Sequence, residues 1–189
     1  MKAVEPIRDP RKINAMKRYL KGKSVRDYAL FVVGTNVALR ISDLLDLTWD
    51  DILDENGNFK ILILKEGKTQ KIRNIKLNQS SRKAIGELLE TLDTYDMGDY
   101  IFKSREGDNK PISRQQALNI LKDAAESVGV KENIGTHSLR KTWGYHAWKS
   151  GYNPALIMET LNHSNLSVTK RYLGIRQDEI NDLYDNLNI

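Results

Sequence analysis

Hydrophobic positions along the chain recur mainly at helical intervals. In SVRDYALFVVGTNVAL, Leu30, Val33 and Val37 follow one another at helical spacing, and Ser24 with Asp27 three residues on resembles a capping box, so the segment predicts a buried helix. A second helix is expected from near Ile41 (ISDLLDL). A third covers SSRKAIGELLETL, with Ile85, Leu88, Leu89 and Leu92 on one stripe, and a fourth runs from Ser113 to Val128 with Gly129 as its terminator. These four helices are the core candidates. Between Phe59 and Leu77 the pattern changes to β-rich stretches on both sides of EGKTQK, which reads as a hairpin whose tip carries Lys65, Lys68 and Lys71.

Beyond Gly135, Thr136 is placed to cap a helix through HSLRKTWGYHAWKS that stops at Gly151, and Asn153-Pro154 opens another through Leu161. A last helix, from about Asp178, carries Ile180, Leu183, Tyr184 and Leu187 on one stripe. The expected fold is therefore mainly α with a small antiparallel β-sheet, an α+β arrangement. No repeat, low-complexity tract or linker divides it, so residues 1–189 are expected to form one domain, with 1–23 a basic N-terminal segment and 178–189 a C-terminal helix.

Composition narrows the class little. Hydrophobic residues make up 40% and charged residues 29% of the 189, as in ordinary globular proteins. No apolar run approaches the roughly 18 residues of a membrane span, so no membrane partner is expected, and the opening MKAVEPIRDP lacks the apolar stretch of a signal peptide. Cysteine is absent, which excludes disulfides and thiolate metal sites and makes a reducing, cytoplasmic setting the expectation.

Charge adds more. The net charge is +5, but residues 1 to 30 hold nine Lys or Arg against three acids. Such an end suits a polyanion such as nucleic acid, or is simply a solvated helix face. The segment DEINDLYDNLNI, with four acids and no base, is a poor DNA contact and is expected to touch protein.

Three features suggest chemistry. In THSLRKT, His137 and Arg140 sit three apart and share a helix face, an arrangement that surface residues also adopt. Arg40 interrupts the apolar run NVALRISDLL and needs an anionic partner there, either Asp43 or Asp46 or a ligand. In LNHSNLSVTKRYL, His163 and Tyr172 lie in a stretch that is otherwise small, polar and basic. Two arginines, histidines, a hairpin lysine and a late tyrosine are the ingredients for attack on a phosphodiester. Guanidiniums can neutralise its non-bridging oxygens bidentately as charge builds in the transition state. A tyrosine of ordinary pKa is only about 0.1% phenolate at neutral pH, so Tyr172 would need a nearby base or a cationic field. A leaving 5′ oxygen needs a proton, which a hairpin lysine can supply. No metal or other cofactor is required.

The stretches ALRISDLLDL, ILILKEGKTQKIRNIKL, THSLRKT and LNHSNLSVTKRYL resemble, in order and separation, those of the tyrosine recombinases, or phage integrases. The resemblance implies a site-specific recombinase that cuts and rejoins double-stranded DNA through a 3′-phosphotyrosyl intermediate. Under it Arg40 and Arg140 clamp the scissile phosphate, Lys68 is the general acid, His137 assists proton transfer, His163 hydrogen-bonds the phosphate and Tyr172 is the nucleophile. It further implies a homo-oligomer on DNA, a tetramer, and an accessory DNA-bending protein as a further partner; the C-terminal segment either packs onto a neighbouring protomer or folds back onto its own core. Two positions depart from the family: Ala38-Leu39-Arg40 replaces Gly-Leu-Arg, and Leu161-Asn162-His163 replaces Leu-Gly-His. The chain also resembles short members that consist of a catalytic domain without the N-terminal core-binding domain.

Two other readings compete. One is a non-catalytic DNA-binding protein using the basic first 30 residues and the helix after Thr136; the other is strand relaxation of the type IB topoisomerase kind, which uses a similar site. A metallohydrolase is disfavoured, because His137, His146 and His163 show no HExxH-like pairing. KEGKTQ lacks the first glycine of a P-loop. Trp143, Tyr145 and Trp148 are expected in the core, with Trp143 and His146 close enough in sequence to pack together.

Overall fold

The computed structural model describes residues 4–175 and 177–187, and for 177–179, 181 and 182 the backbone alone. Lys2 of the basic segment and the side chains of Asp178, Glu179 and Asp182 therefore lie outside the described residues.

The chain runs α1 (Pro10–Lys23), α2 (Val25–Gly34), α3 (Ile41–Leu45), α4 (Trp49–Ile52), β1 (Leu62–Lys65), β2 (Ile72–Ile75), α5 (Gln79–Leu89), α6 (Arg114–Ser127), α7 (His137–Lys149), α8 (Pro154–Thr160), α9 (Leu166–Leu173) and α10 (Gln177–Asn186). The α+β expectation holds: among the described residues the sheet is one antiparallel pair, β1 with β2, in which Leu62 faces Ile75 and Leu64 faces Arg73.

Local signals explain most boundaries. Ser24 accepts from the Asp27 N–H at the start of α2, Ser113 from Gln116 at α6, and Asn153 from Ala155 at α8. Gly129 and Gly151 follow α6 and α7 with φ of 67° and 77°, the left-handed conformation that costs glycine least.

Several expectations are corrected. Residues 10–23 form helix α1, opened by Asp9-Pro10 and burying Met16 and Leu20, so this part of the basic segment is an amphipathic core helix. Three of its six cations, and the neighbouring Arg8 and Arg26, are paired internally: Arg8 with Glu5, Arg11 with Asp9, Lys21 with Glu87, Lys23 with Asp123 and Arg26 with Asp27. Thr136 sits at the start of α7 but its side chain caps nothing; the Ser138 hydroxyl instead accepts from the Gly135 N–H. Leu92 lies beyond the end of α5 and is 38% exposed, so the stripe stops at Leu89. His146 packs edge-on against Tyr145 and its Nε2 meets the Ile7 carbonyl at 3.0 Å.

Two apolar clusters result. The larger joins α1 to α6 around Phe31, Trp49, Leu62 and Phe102. The smaller holds Ala38, Ile157, Leu161 and Leu173, with Trp143, Trp148 and Tyr172 packed against it. Helix α7 lies between them at close approaches set by two glycines. A Cβ on Gly34 would stand 2.5 Å from Leu139 Cδ1, and one on Gly144 would stand 2.6 Å from Leu173 Cδ2. Gly34 thus draws α7 against the large cluster, and Gly144 draws α9 against α7. Arg140 on α7 and Tyr172 on α9 owe their positions to these contacts. No described helix is long and apolar enough to cross a membrane.

Candidate active site

Arg140 is buried at the start of α7, with 3% of its surface exposed. Its Nη1 donates to the Ala38 carbonyl at 2.5 Å and its Nη2 to the Leu161 carbonyl at 2.7 Å. Burial pulls its pKa down from the usual value for arginine, against a partial offset from Tyr172. Both carbonyls come from segments with unusual backbones: Ala38 has φ of 55° and Asn162, just after Leu161, φ of 49°. These are the two positions where glycine was the expected residue, and both adopt the conformation that glycine tolerates best.

Arg40 precedes α3, and its principal partner is Glu66. The Arg40 Nη1 lies 2.7 Å from Glu66 Oε2; the expected ion pair with Asp43 is present but longer, at 3.9 Å, and Asp46 is exposed, so Glu66 is the closer partner that the sequence did not indicate. That close approach lies off the N–H direction, so it is an ionic contact and not a well-directed hydrogen bond. Glu66 is completely buried and also meets Arg73 at 3.1 Å, Arg140 at 3.8 Å and the Thr69 hydroxyl at 2.6 Å. Burial pushes its carboxyl upward, but the Thr69 and Arg40 contacts outweigh that and hold it below the usual carboxylate range.

Tyr172 belongs to the last turn of α9. Its Oη is buried without a hydrogen-bonding partner among the described residues, its ring stands edge-on to His163 at 4.8 Å between centroids, and the Lys141 ammonium lies 4.9 Å from the ring centre. Burial raises its pKa, opposed by the nearby charges of Arg140 and Arg40. The Nδ1 of His163 lies 3.1 Å from Thr169 Oγ1, and that hydroxyl is 3.4 Å from the Asn165 carbonyl. If the hydroxyl proton goes to the carbonyl, Nδ1 is the protonated nitrogen and Nε2 is left to accept a proton or turn to a ligand. His163 and His137 are both held below the ordinary histidine pKa. Burial leads in each case, followed for His163 by Arg140 and Arg40, and for His137 by Arg114, Arg140, Lys141 and Arg40. His137 as a whole remains exposed at the rim, its ring only partly covered.

The structure thus brings Arg40, Arg140, His163 and Tyr172 together, with His137 at their edge. Lys68 stands apart in the exposed turn between β1 and β2, while Lys71 donates to Asn162 Oδ1 at 2.6 Å, beside His163. Glu66, Arg73, Thr169 and Lys141 were not singled out from the sequence. A signal for two of them was present: residues alternate faces along a strand, so Glu66 shares the inward side with Leu62 and Leu64, and Arg73 faces Leu64 across the ladder. For Thr169 and Lys141 no local pattern distinguishes them from surface residues.

Chemically, the site offers three guanidiniums converging on one anion, a phenol in the field of two of them, two imidazoles with lowered pKa and a lysine-bearing hairpin. That inventory suits an in-line displacement at a phosphodiester. The description Phage integrase family matches residues 9–179. The chain is 42% identical over 184 residues to a protein described as a probable integrase/recombinase, YoeC of Bacillus subtilis, covering 97% of each. It is similar in structure to the XerA recombinase, with a TM-score of 0.77 at 18% identity over 100% of this chain and 68% of that one. A second likeness is to the XerH site-specific recombinase, solved on a palindromic difH substrate after cleavage, with a TM-score of 0.72 at 16% identity over 97% of this chain and 54% of that one. From the match across most of its length, the chain belongs to the phage integrase family of tyrosine site-specific recombinases.

Proposed function

We propose that this protein cuts and rejoins double-stranded DNA with Tyr172 as the nucleophile. The observation that carries the reading is the burial of the Tyr172 hydroxyl beside Arg140, which also neighbours Arg40 through Glu66. Arg40 and Arg140 clamp the non-bridging oxygens, and His163 adds a hydrogen bond from the connection between α8 and α9. The Tyr172 oxygen bonds to phosphorus as the bond to the 5′ oxygen breaks. His137 assists removal of the phenol proton, and Lys68 protonates the departing 5′ oxygen. A 3′-phosphotyrosyl bond results, which keeps the energy of the broken linkage for rejoining. Burial holds the phenol neutral in the free protein, so ionisation belongs to the bound complex, where the proton acceptor and the clamped phosphate are both in place.

In this reading the 189 residues act as one catalytic domain in the cytoplasm, assembled on DNA as a homo-tetramer with help from a DNA-bending protein. XerH provides a relative in fold that is solved on its DNA substrate. Leu183 and Tyr184 on α10 and Leu187 just past its end are 62%, 80% and 62% exposed, an apolar surface suited to exchange between protomers.

The test is a nicked suicide duplex drawn from the flanks of the protein's own gene, with products resolved on a denaturing gel. A protein–DNA band that disappears in Tyr172→Phe supports the reading. Binding without an adduct would replace it with that of a DNA-binding protein.

A further inference from the structure

A carboxylate with no solvent exposure must be compensated by its surroundings, and around Glu66 the compensation comes from three guanidiniums. Two of them, Arg40 and Arg140, are the pair assigned above to the scissile phosphate. The carboxylate oxygens divide between them: Oε2 lies against Arg40, and Oε1 lies between Arg73 and Arg140. A planar anion bridging guanidiniums is the arrangement that a phosphate would make.

The contact that matters most is imperfect. Arg40 Nη1 lies 2.7 Å from the carboxylate yet forms no directed hydrogen bond, and Tyr172 Oη is buried without one. A ligand that satisfied both would be favoured over Glu66. Phosphate and carboxylate cannot share the pocket, because two anions at contact distance between the same cations repel.

Glu66 also occupies a strategic place in the chain. It is the first residue after β1, and it closes the turn on both sides: its N–H donates to the Lys71 carbonyl and its own carbonyl accepts from the Gln70 N–H, each at 2.9 Å. The next N–H, of Gly67, donates to Asp43 Oδ1 at 3.2 Å, and Arg73 ties β2 to the Thr160 carbonyl at 2.8 Å. Lys68 rides on this turn. The carboxylate itself is tied into this turn by the Thr69 hydroxyl, so moving it out breaks a bond that holds the turn in place.

We infer that Glu66 is an internal stand-in for the scissile phosphate: it occupies the Arg40–Arg140 clamp in the free protein, and the arriving phosphate displaces it together with the turn that carries Lys68. The inference rests on the assignment of Arg40 and Arg140 as the clamp. It links arrival of the phosphate to repositioning of the proton donor, so that the hairpin is rearranged only where a phosphate fills the clamp.

Inorganic phosphate is the probe, titrated into the full chain while the imidazole signals of His137 and His163 are followed by NMR. Removing the resident charge at contact distance is expected to tighten phosphate binding about tenfold or more in Glu66→Gln. Thr69→Val removes the 2.6 Å hydrogen bond that seats the carboxylate and is expected to tighten binding by a smaller factor. Asp46→Asn removes an exposed charge nearby and is expected to change nothing, which separates displacement from general attraction. Unchanged or weaker binding in the folded variants would overturn the inference, making Glu66 a fixed support for the arginines; should Glu66→Gln not fold, Thr69→Val decides. Phosphate binding is measured without DNA. A tightened variant beside a wild-type chain that forms no adduct would thus sink the cleavage reading and leave the displacement standing.

Discussion

Arg140 donates to the carbonyl oxygen of Ala38, a residue held in the left-handed region with φ of 55°. The same guanidinium takes the Leu161 carbonyl, next to Asn162 at φ of 49°, so two energetically unfavourable backbone turns present the oxygens that fix one side chain. For a residue with a Cβ this conformation costs roughly 1–2 kcal/mol, less for asparagine.

Ala38→Gly is therefore expected to stabilise the protein. The strain relieved exceeds the extra flexibility gained by the unfolded chain, leaving about 0.5–1 kcal/mol, read as a higher denaturation midpoint with Arg140 chemistry retained. Asn162→Gly is expected to give less, because asparagine tolerates the conformation and its Oδ1 is also the acceptor for Lys71. A midpoint that falls in Ala38→Gly would mean that the lost methyl, buried in the small cluster, outweighs the strain.

The proton donor can be identified by leaving-group replacement. Lys68→Ala is expected to slow cleavage of an ordinary strand by about 10²–10⁴ and to recover on a substrate whose bridging 5′ oxygen is sulfur, which departs without a proton. Lys71→Ala is expected to show no such recovery, since its ammonium is engaged by Asn162. Rescue of Lys71→Ala instead would move the role to that residue.

Stability should fall on mild acidification. His137 and His163 have folded-state pKa values below their unfolded value of 6.5, so the unfolded chain binds more protons. Their contribution is fully present above pH 6.5 and is lost as pH drops from there through the lowered folded values. The facing charges are Arg40 and Arg140 for both, with Arg114 and Lys141 added for His137. Thermal melts between neutral pH and pH 5 are expected to show the decline, and His163→Gln to flatten it; an equally steep decline in that variant would assign it elsewhere. Tyr172 acts at the other end, its raised pKa contributing stability that is lost as pH rises past 10.

Thr169 is a positioning residue for His163. With no exposed surface and its oxygen 3.1 Å from Nδ1, it favours the Nδ1–H form and leaves Nε2 as the nitrogen able to accept. Thr169→Val keeps the shape and removes the acceptor. Cleavage is expected to drop about tenfold, with the nitrogen shifts of His163 moving away from the single Nδ1–H tautomer. Lower stability with unchanged nitrogen shifts would reduce Thr169 to a packing role.

The sequence carried the helices wherever a periodic stripe met a capping residue, as at Ser24, Ser113 and Asn153, because both signals act within a few residues. It under-read α1, whose stripe of Met16 and Leu20 is thin among cations, α4, which is a single turn, and α9, which lies in a stretch that reads as small, polar and basic. The cluster of Arg40, Arg140, His163 and Tyr172 was approached through motif order, since the residue types announce phosphate chemistry while nothing local says that they meet.

What the sequence determined by itself was the element types, the hairpin between helices, and the chemical inventory of arginines, histidines, lysine and tyrosine. Tertiary structure alone decided which carboxylate meets the arginines, because Glu66 is 26 residues from Arg40 and 74 from Arg140 and is brought to them by the hairpin folding back on α3. It also decided that Ala38 and Leu161 would turn their carbonyls to Arg140, and that Thr169 would orient His163. Caps and periodicity are fixed by neighbours along the chain, whereas the protonation and direction of buried polar groups depend on charges brought near only when the chain closes.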